Sequence, residues 1–189
     1  MGSIFYFCTA MTHLFRSVLI LFFLFGLSAC SRKSKKWEKF TYNEGRFSII
    51  MPAPVERAFK KEATVFGYQV NHYFTWKPSS FAMDKFKMFQ VSFIECPRKY
   101  TTADRIEEAL DSSIYERVKD FTDEEIDIHA IELNGYPARA FIYNSSSSIA
   151  IVKQCIVANR RYDVTVIAKK NYATNSEVAD FYNSFKVNN

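Results

Sequence analysis

Beyond about residue 40 the chain alternates apolar and polar side chains with a period of two, in one stretch after another. In "VFGYQVNHYFTW" the positions Phe66, Tyr68, Val70, His72, Phe74 and Trp76 share one face. "FQVSF" does the same with Phe89, Val91 and Phe93, and "YDVTVIA" sets Tyr162, Val164, Val166 and Ala168 against Asp163 and Thr165. Such alternation places successive side chains on opposite sides of a half-buried strand. Within "IELNGYPARAFIY", Asn134-Gly135 supplies the positive φ angles that a tight two-residue hairpin turn requires. "CIVANRRYDV" reads as a second hairpin, centred on Asn159-Arg160.

Two stretches change to a helical period. In "TTADRIEEALDSSIYERVKDF", Ile106, Leu110, Ile114 and Val118 recur every fourth residue, with Ala109, Ser113 and Arg117 alongside. Thr101 or Thr102 can cap its start, and Asp104, Glu107 and Glu108 suit the positive end of the helix dipole. In "SEVADFYNSF", Val178, Phe181, Tyr182 and Phe185 fall on one stripe. A helix with a single apolar stripe must lie on something apolar. The order of strands, helix, long antiparallel run and helix therefore predicts an α+β fold.

The N-terminal pattern is different. Val18 to Leu27 carries no charge and is preceded by Arg16. A permanent membrane span needs about 20 apolar residues, so this run is short for one. A basic start, a short apolar run and small residues at its end are instead the three parts of an export signal. Met11, just upstream, fits as an alternative start. Leu27-Ser28-Ala29-Cys30 resembles the lipobox of bacterial lipoproteins, which implies cleavage before Cys30 and fatty acylation (palmitate and related chains) of its sulfur. Stable anchoring takes at least two membrane signals, and two or three acyl chains on one residue supply them. The expected organisation is a signal peptide over 1–29, a lipidated cysteine with a flexible basic tether over 30–39, and one domain over 40–189.

Charge sharpens that division. The chain holds 25 Lys and Arg against 20 Asp and Glu. Residues 1–30 contribute only Arg16, and residues 31–39 contribute Arg32, Lys33, Lys35, Lys36 and Lys39 against Glu38. That leaves 19 of each sign in residues 40–189. A neutral domain argues against nucleic acid, which calls for a basic face on the folded part. Arg32, Lys33, Lys35 and Lys36 are instead expected next to an anionic lipid surface, or simply in solvent as a linker.

Cys8 belongs to the segment to be removed and Cys30 to the lipid, which leaves Cys96 and Cys155. They are expected as two buried thiols in strands, with a disulfide as the alternative if their strands are neighbours. No Cys-x-x-Cys occurs, so the common zinc pairings are excluded. Past the tether only Gly45, Gly67 and Gly135 occur, too few for phosphate-cradling loops.

Four segments resemble the PsbP-like domains. "GRFSIIMPAPVE" is similar to their opening strand, "IELNGYPARAFIY" to their central hairpin, and "NRRYDVTVIA" to a strand entered through an Asn-Arg turn. "FYNSFKV" is similar to their terminal helix. The resemblance spans about residues 40–187. It implies an antiparallel sheet of six or seven strands with two or three helices packed on it, a fold shared with Mog-type Ran-binding proteins. The matching motifs place turns and core, so no functional residue is carried over, and a fold of this breadth does not fix a function.

Candidate chemistry is sparse. His72 lies on an aromatic stripe and His129 on the strand entering the Asn134-Gly135 turn; each can be a ligand, a base or a hydrogen-bonded structural residue. Asp120, Asp123, Glu124, Glu125 and Asp127 cluster without the glycine of a calcium loop. The serines of "NSSSSI" lack the strained turn of a nucleophile and read as a polar loop. No catalytic residue, metal ligand or cofactor is assigned. The expected role is a non-enzymatic, lipid-anchored envelope protein that offers one domain to a protein partner, at the outer membrane facing the periplasm. The alternatives are a carrier of an apolar ligand in a cavity lined by Phe66, Tyr68, Phe74, Phe89 and Phe93, and a hydrolase or metal enzyme in which His72 or His129 converges with carboxylates.

Overall fold

A computed structural model describes residues 35–79, 85–119 and 126–188. The export signal, the lipobox and the start of the tether lie outside those residues. The remainder forms one compact unit from Lys36 onward. Its strands are β1 (Lys36–Tyr42), β2 (Phe47–Ala53), β3 (Glu56–Thr64), β4 (Gly67–Trp76) and β5 (Phe86–Glu95), followed by helix α1 (Ile106–Val118). Then come β6 (Ile126–Leu133), β7 (Tyr136–Asn144), β8 (Ser148–Val157), β9 (Arg160–Lys169), helix α2 (Ser176–Ser184) and the short β10 (Lys186–Val187). Seven strands make an antiparallel sheet in the order β3-β4-β5-β9-β8-β7-β6, and β1-β2-β10 make a smaller one. The α+β class and the antiparallel sheet with helices packed on it are as the sequence implies.

The period-two pattern decides what each face buries. Phe74, Phe89, Val91, Phe93, Tyr162, Val164 and Val166 turn to one side of the large sheet. There they meet Phe47, Ile49 and Met51 of β2 and Val178, Phe181 and Tyr182 of α2. Every one of these side chains is at most 4% exposed, and each contributes on the order of 1.5–3 kcal/mol through burial. Across the sheet, Ile94, Cys96 and Ile156 pack under Ala109 and Leu110 of α1, and Phe141 and Val152 pack under Ile114. The stripe read from the sequence is thus the stripe that α1 buries.

Three details differ from expectation. β1 starts at Lys36, inside the stretch 30–39 expected to be a flexible tether. Trp37, Phe40 and Tyr42 pack against the main core, so their aromatic surface overrides the basic composition and the ordered domain starts four residues early. α1 begins after Arg105, without a side-chain cap. The Thr101 hydroxyl donates instead to the side chain of Asn159 on the β8–β9 turn. That turn is centred on Ala158-Asn159, both at positive φ, one residue before the expected centre, because Arg160 pairs with Val157 as the first residue of β9. The Asn134-Gly135 turn forms as read.

Candidate functional site

β3 is an edge strand, nine residues long, and among the described residues only β4 pairs with it. Its register sets Arg57 opposite Phe74, Phe59 opposite His72, Lys61 opposite Val70 and Ala63 opposite Tyr68. All of these belong to the face that carries the main core, but the small sheet covers only the Phe74 end. There Phe40 and Tyr42 close over Phe74 at ring separations of 5.3 and 4.6 Å. Further along, the hairpin runs on uncovered. Phe59 is 76% exposed, Tyr68 74% and Val70 45%. Side chains of this size rarely stay in water without a use when they are grouped.

Cations lie along this face. The Arg57 guanidinium lies over Tyr42, Phe40 and Phe74, 5.2 to 5.9 Å from the ring centres. Lys61 lies 5.6 Å from the centre of Tyr68. His72 stacks on Phe93 at 4.7 Å with the rings 4° from parallel, and Arg160 approaches the same Phe93 ring at 5.8 Å. The neighbouring carboxylates are engaged elsewhere: Glu95 pairs with Arg160 at 3.0 Å, and Glu44 accepts from the Tyr42 hydroxyl. That bond holds the Tyr42 phenol above its ordinary value. Burial works against the Arg160 charge, but Glu95 and the Tyr162 phenol keep it protonated. Among the described residues no carboxylate pairs with Arg57 or Lys61. The result is a cationic, aromatic face beside an open strand edge.

The opposite face of the sheet holds a second polar group, buried rather than presented. Asp163 is 2% exposed. It accepts from Arg117 of α1 at 2.6 Å, from Gln154 at 2.7 Å and from Arg161 at 3.3 Å. Arg161 also donates to Ser113 of α1 at 2.7 Å. Burial alone would raise the Asp163 carboxyl, but Arg117 and Arg161 outweigh it and hold the group below the usual carboxylate range. Near the end of the sheet, Arg139 of β7 reaches Asp111 at 2.6 Å and also pairs with Glu107. These contacts clamp α1 to the sheet. They give the cluster a structural role rather than an open reaction centre.

The residues singled out from sequence fare unevenly. Cys30, Leu27, Ser28, Ala29, Arg32 and Lys33 lie outside the described residues, as do Asp120, Asp123, Glu124 and Glu125. Lys36 is a strand residue bonded to Glu38 at 2.6 Å, not part of a loose tether; Lys35 directly precedes that strand. His72 sits at the rim of the cationic face. His129, on β6, pairs with Asp127 at 2.9 Å. Four strands separate β4 from β6, about 24 Å at the usual strand spacing, so the two histidines do not converge. The five aromatics proposed to line a cavity disperse: Tyr68 is in solvent, Phe66 belongs to the cluster under α1, and Phe74, Phe89 and Phe93 pack in the main core. The serines form a polar loop closed by Ser145 donating its amide to the Ser148 carbonyl at 2.9 Å. Cys96 and Cys155 are free, buried thiols in different clusters on opposite faces of the sheet.

Arg57, Phe59, Lys61 and Arg160 were not among the sequence candidates. "ERAFKKEAT" does carry a signal, because Arg57, Phe59 and Lys61 alternate on one face of a strand whose other face is equally polar. A strand with no buried face has to be an edge.

No family model matches the chain, and no curated protein matches it. Among solved structures it is similar to the cyanobacterial PsbP protein, CyanoP, of Synechocystis sp. PCC 6803. The TM-score is 0.51 at 8% sequence identity, over 83% of this chain and 95% of that one. At that identity the likeness establishes a PsbP-like fold and nothing about chemistry.

Proposed function

We propose that the chain is a lipid-anchored protein of the bacterial envelope, without enzymatic activity, that offers the β3–β4 face of its PsbP-like domain to a protein partner near the membrane. The observation that carries this reading is the face itself: Phe59 and Tyr68 exposed, with Arg57 and Lys61 beside them lacking carboxylate partners among the described residues, along a strand edge that no other described strand pairs. The lipobox-like Leu27-Ser28-Ala29-Cys30 supports the anchor. Basic residues near an anionic leaflet add roughly 1 kcal/mol each, so Arg32, Lys33 and Lys35 would reinforce it. The neutral Ser31 after the cysteine fits outer-membrane sorting, with the domain in the periplasm.

The anchor is tested by metabolic labelling with a fatty acid. The chain incorporates label and fractionates with membranes, whereas Cys30→Ser incorporates none. Equal labelling of the Cys30→Ser chain, or an intact mass without acyl groups, would exclude the lipid anchor.

A further inference from the structure

We infer that the β3–β4 face takes an extended, acidic polypeptide segment, added as a further strand along β3. The inference rests on the reading of this face as an interaction surface and names what it binds. Three features of the hairpin lead to it. First, alternate residues of an edge strand point their N–H and C=O groups outward, and an added strand satisfies them in register. Second, Arg57, Phe59 and Lys61 follow one another on the same side of β3, so a neighbouring strand sets alternate side chains opposite them at about 5 Å. The complementary sequence is acidic, any residue, apolar, any residue, acidic: carboxylates at Arg57 and Lys61, and an apolar side chain against Phe59. Third, the two cations lack carboxylate partners among the described residues, whereas a second copy of this strand would bring arginine and lysine of its own. Charge therefore favours an acidic partner over self-pairing.

The test uses the full chain in detergent and a fluorescent peptide of about eight residues in which glutamate, valine and glutamate occupy successive alternate positions, with threonine between them. Binding is read by anisotropy, and amide exchange is followed in β3. The glutamate peptide binds and slows exchange in Glu56–Thr64. Lys61→Glu and Phe59→Ser each weaken it about tenfold, and a peptide with lysine in place of glutamate does not bind. Both substitutions are at exposed positions, and an unchanged thermal midpoint shows that the variants are folded. Equal binding of the lysine peptide, unchanged binding by both variants, or binding without slower exchange in β3 would overturn the inference. So would failure of the peptide where vesicles rich in phosphatidylglycerol bind through the same residues, since the face would then be a membrane contact. If the peptide fails but a photocrosslinker at Tyr68 still captures a partner protein in cells, only the partner's chemistry is wrong. If Tyr68 captures nothing, the interaction surface itself is withdrawn.

Discussion

Arg117 of α1 donates to the buried carboxylate of Asp163 on β9 at 2.6 Å, which ties the helix to the central strand of the seven-stranded sheet. The two apolar clusters under α1 flank that contact, so the helix is held by a polar bond between two greasy patches. The arrangement is asymmetric in exposure: the Asp163 side chain is 2% exposed and that of Arg117 is 32% exposed.

Removing the carboxylate is therefore the costly change. Asp163→Asn leaves the buried Arg161 without its counter-charge and should lower unfolding free energy by about 3–5 kcal/mol. Arg117→Met leaves Asp163 its bonds to Arg161 and Gln154 and should cost about 1 kcal/mol. Urea unfolding of the three proteins checks the order, and equal losses would contradict it.

The same pair sets an acid dependence. The Asp163 carboxyl is held below its unfolded value. Its contribution is complete above about pH 4 and is lost as pH falls below that, because the unfolded chain takes up the proton first. The difference in stability between the natural chain and Asp163→Asn should shrink as pH falls below the ordinary carboxylate value, about 4. A pH-independent difference would count against the ion pair.

Gly45 is fixed by crowding. A Cβ there would stand 2.7 Å from Tyr42 Cδ1, 2.8 Å from Phe93 Cε1 and 3.0 Å from Phe47 Cε1, and the Gly45 carbonyl accepts from the Tyr162 hydroxyl at 2.8 Å. Gly45→Ala should cost about 1–3 kcal/mol by overpacking, seen as a lower thermal midpoint. Because Phe93 supports His72, the substitution should also disturb the cationic face, visible as a shifted His72 ring resonance. An unchanged midpoint would show that the rings give way freely.

Burial pushes the Cys96 and Cys155 thiols up to about 12. Thiolate, the reactive form, is then scarce near neutral pH. Iodoacetamide at pH 8, about the ordinary thiol range, should label neither residue in the folded protein and both in urea. Rapid labelling of Cys96 or Cys155 in the native chain, or a disulfide-linked peptide joining the two, would contradict two separate buried thiols.

How far the sequence showed all this depends on what each residue needs from distant ones. The strand faces of β4, β5 and β9 and the stripes of α1 and α2 were legible, since a period of 2.0 or 3.6 is a local signal. Asp163 was not. Alternation put it on the polar side of β9, and only the return of α1 over that side buries it against Arg117. The tether boundary failed for a related reason: charge dominated "SRKSKKWEK", while the few aromatic side chains that dock on the core decided the structure. The β3 edge was missed because it has no buried face to announce it, and its meaning comes from where the sheet stops.

The most direct test of the proposed interaction face is a photocrosslinking amino acid placed at Tyr68, with Ile128 on the opposite edge strand as the exposed control, in the full chain in living cells. The account predicts a discrete envelope-protein adduct from position 68 that is lost with Lys61→Glu, and none from position 128. The same adducts from both positions, or an adduct at 68 indifferent to Lys61, would contradict it.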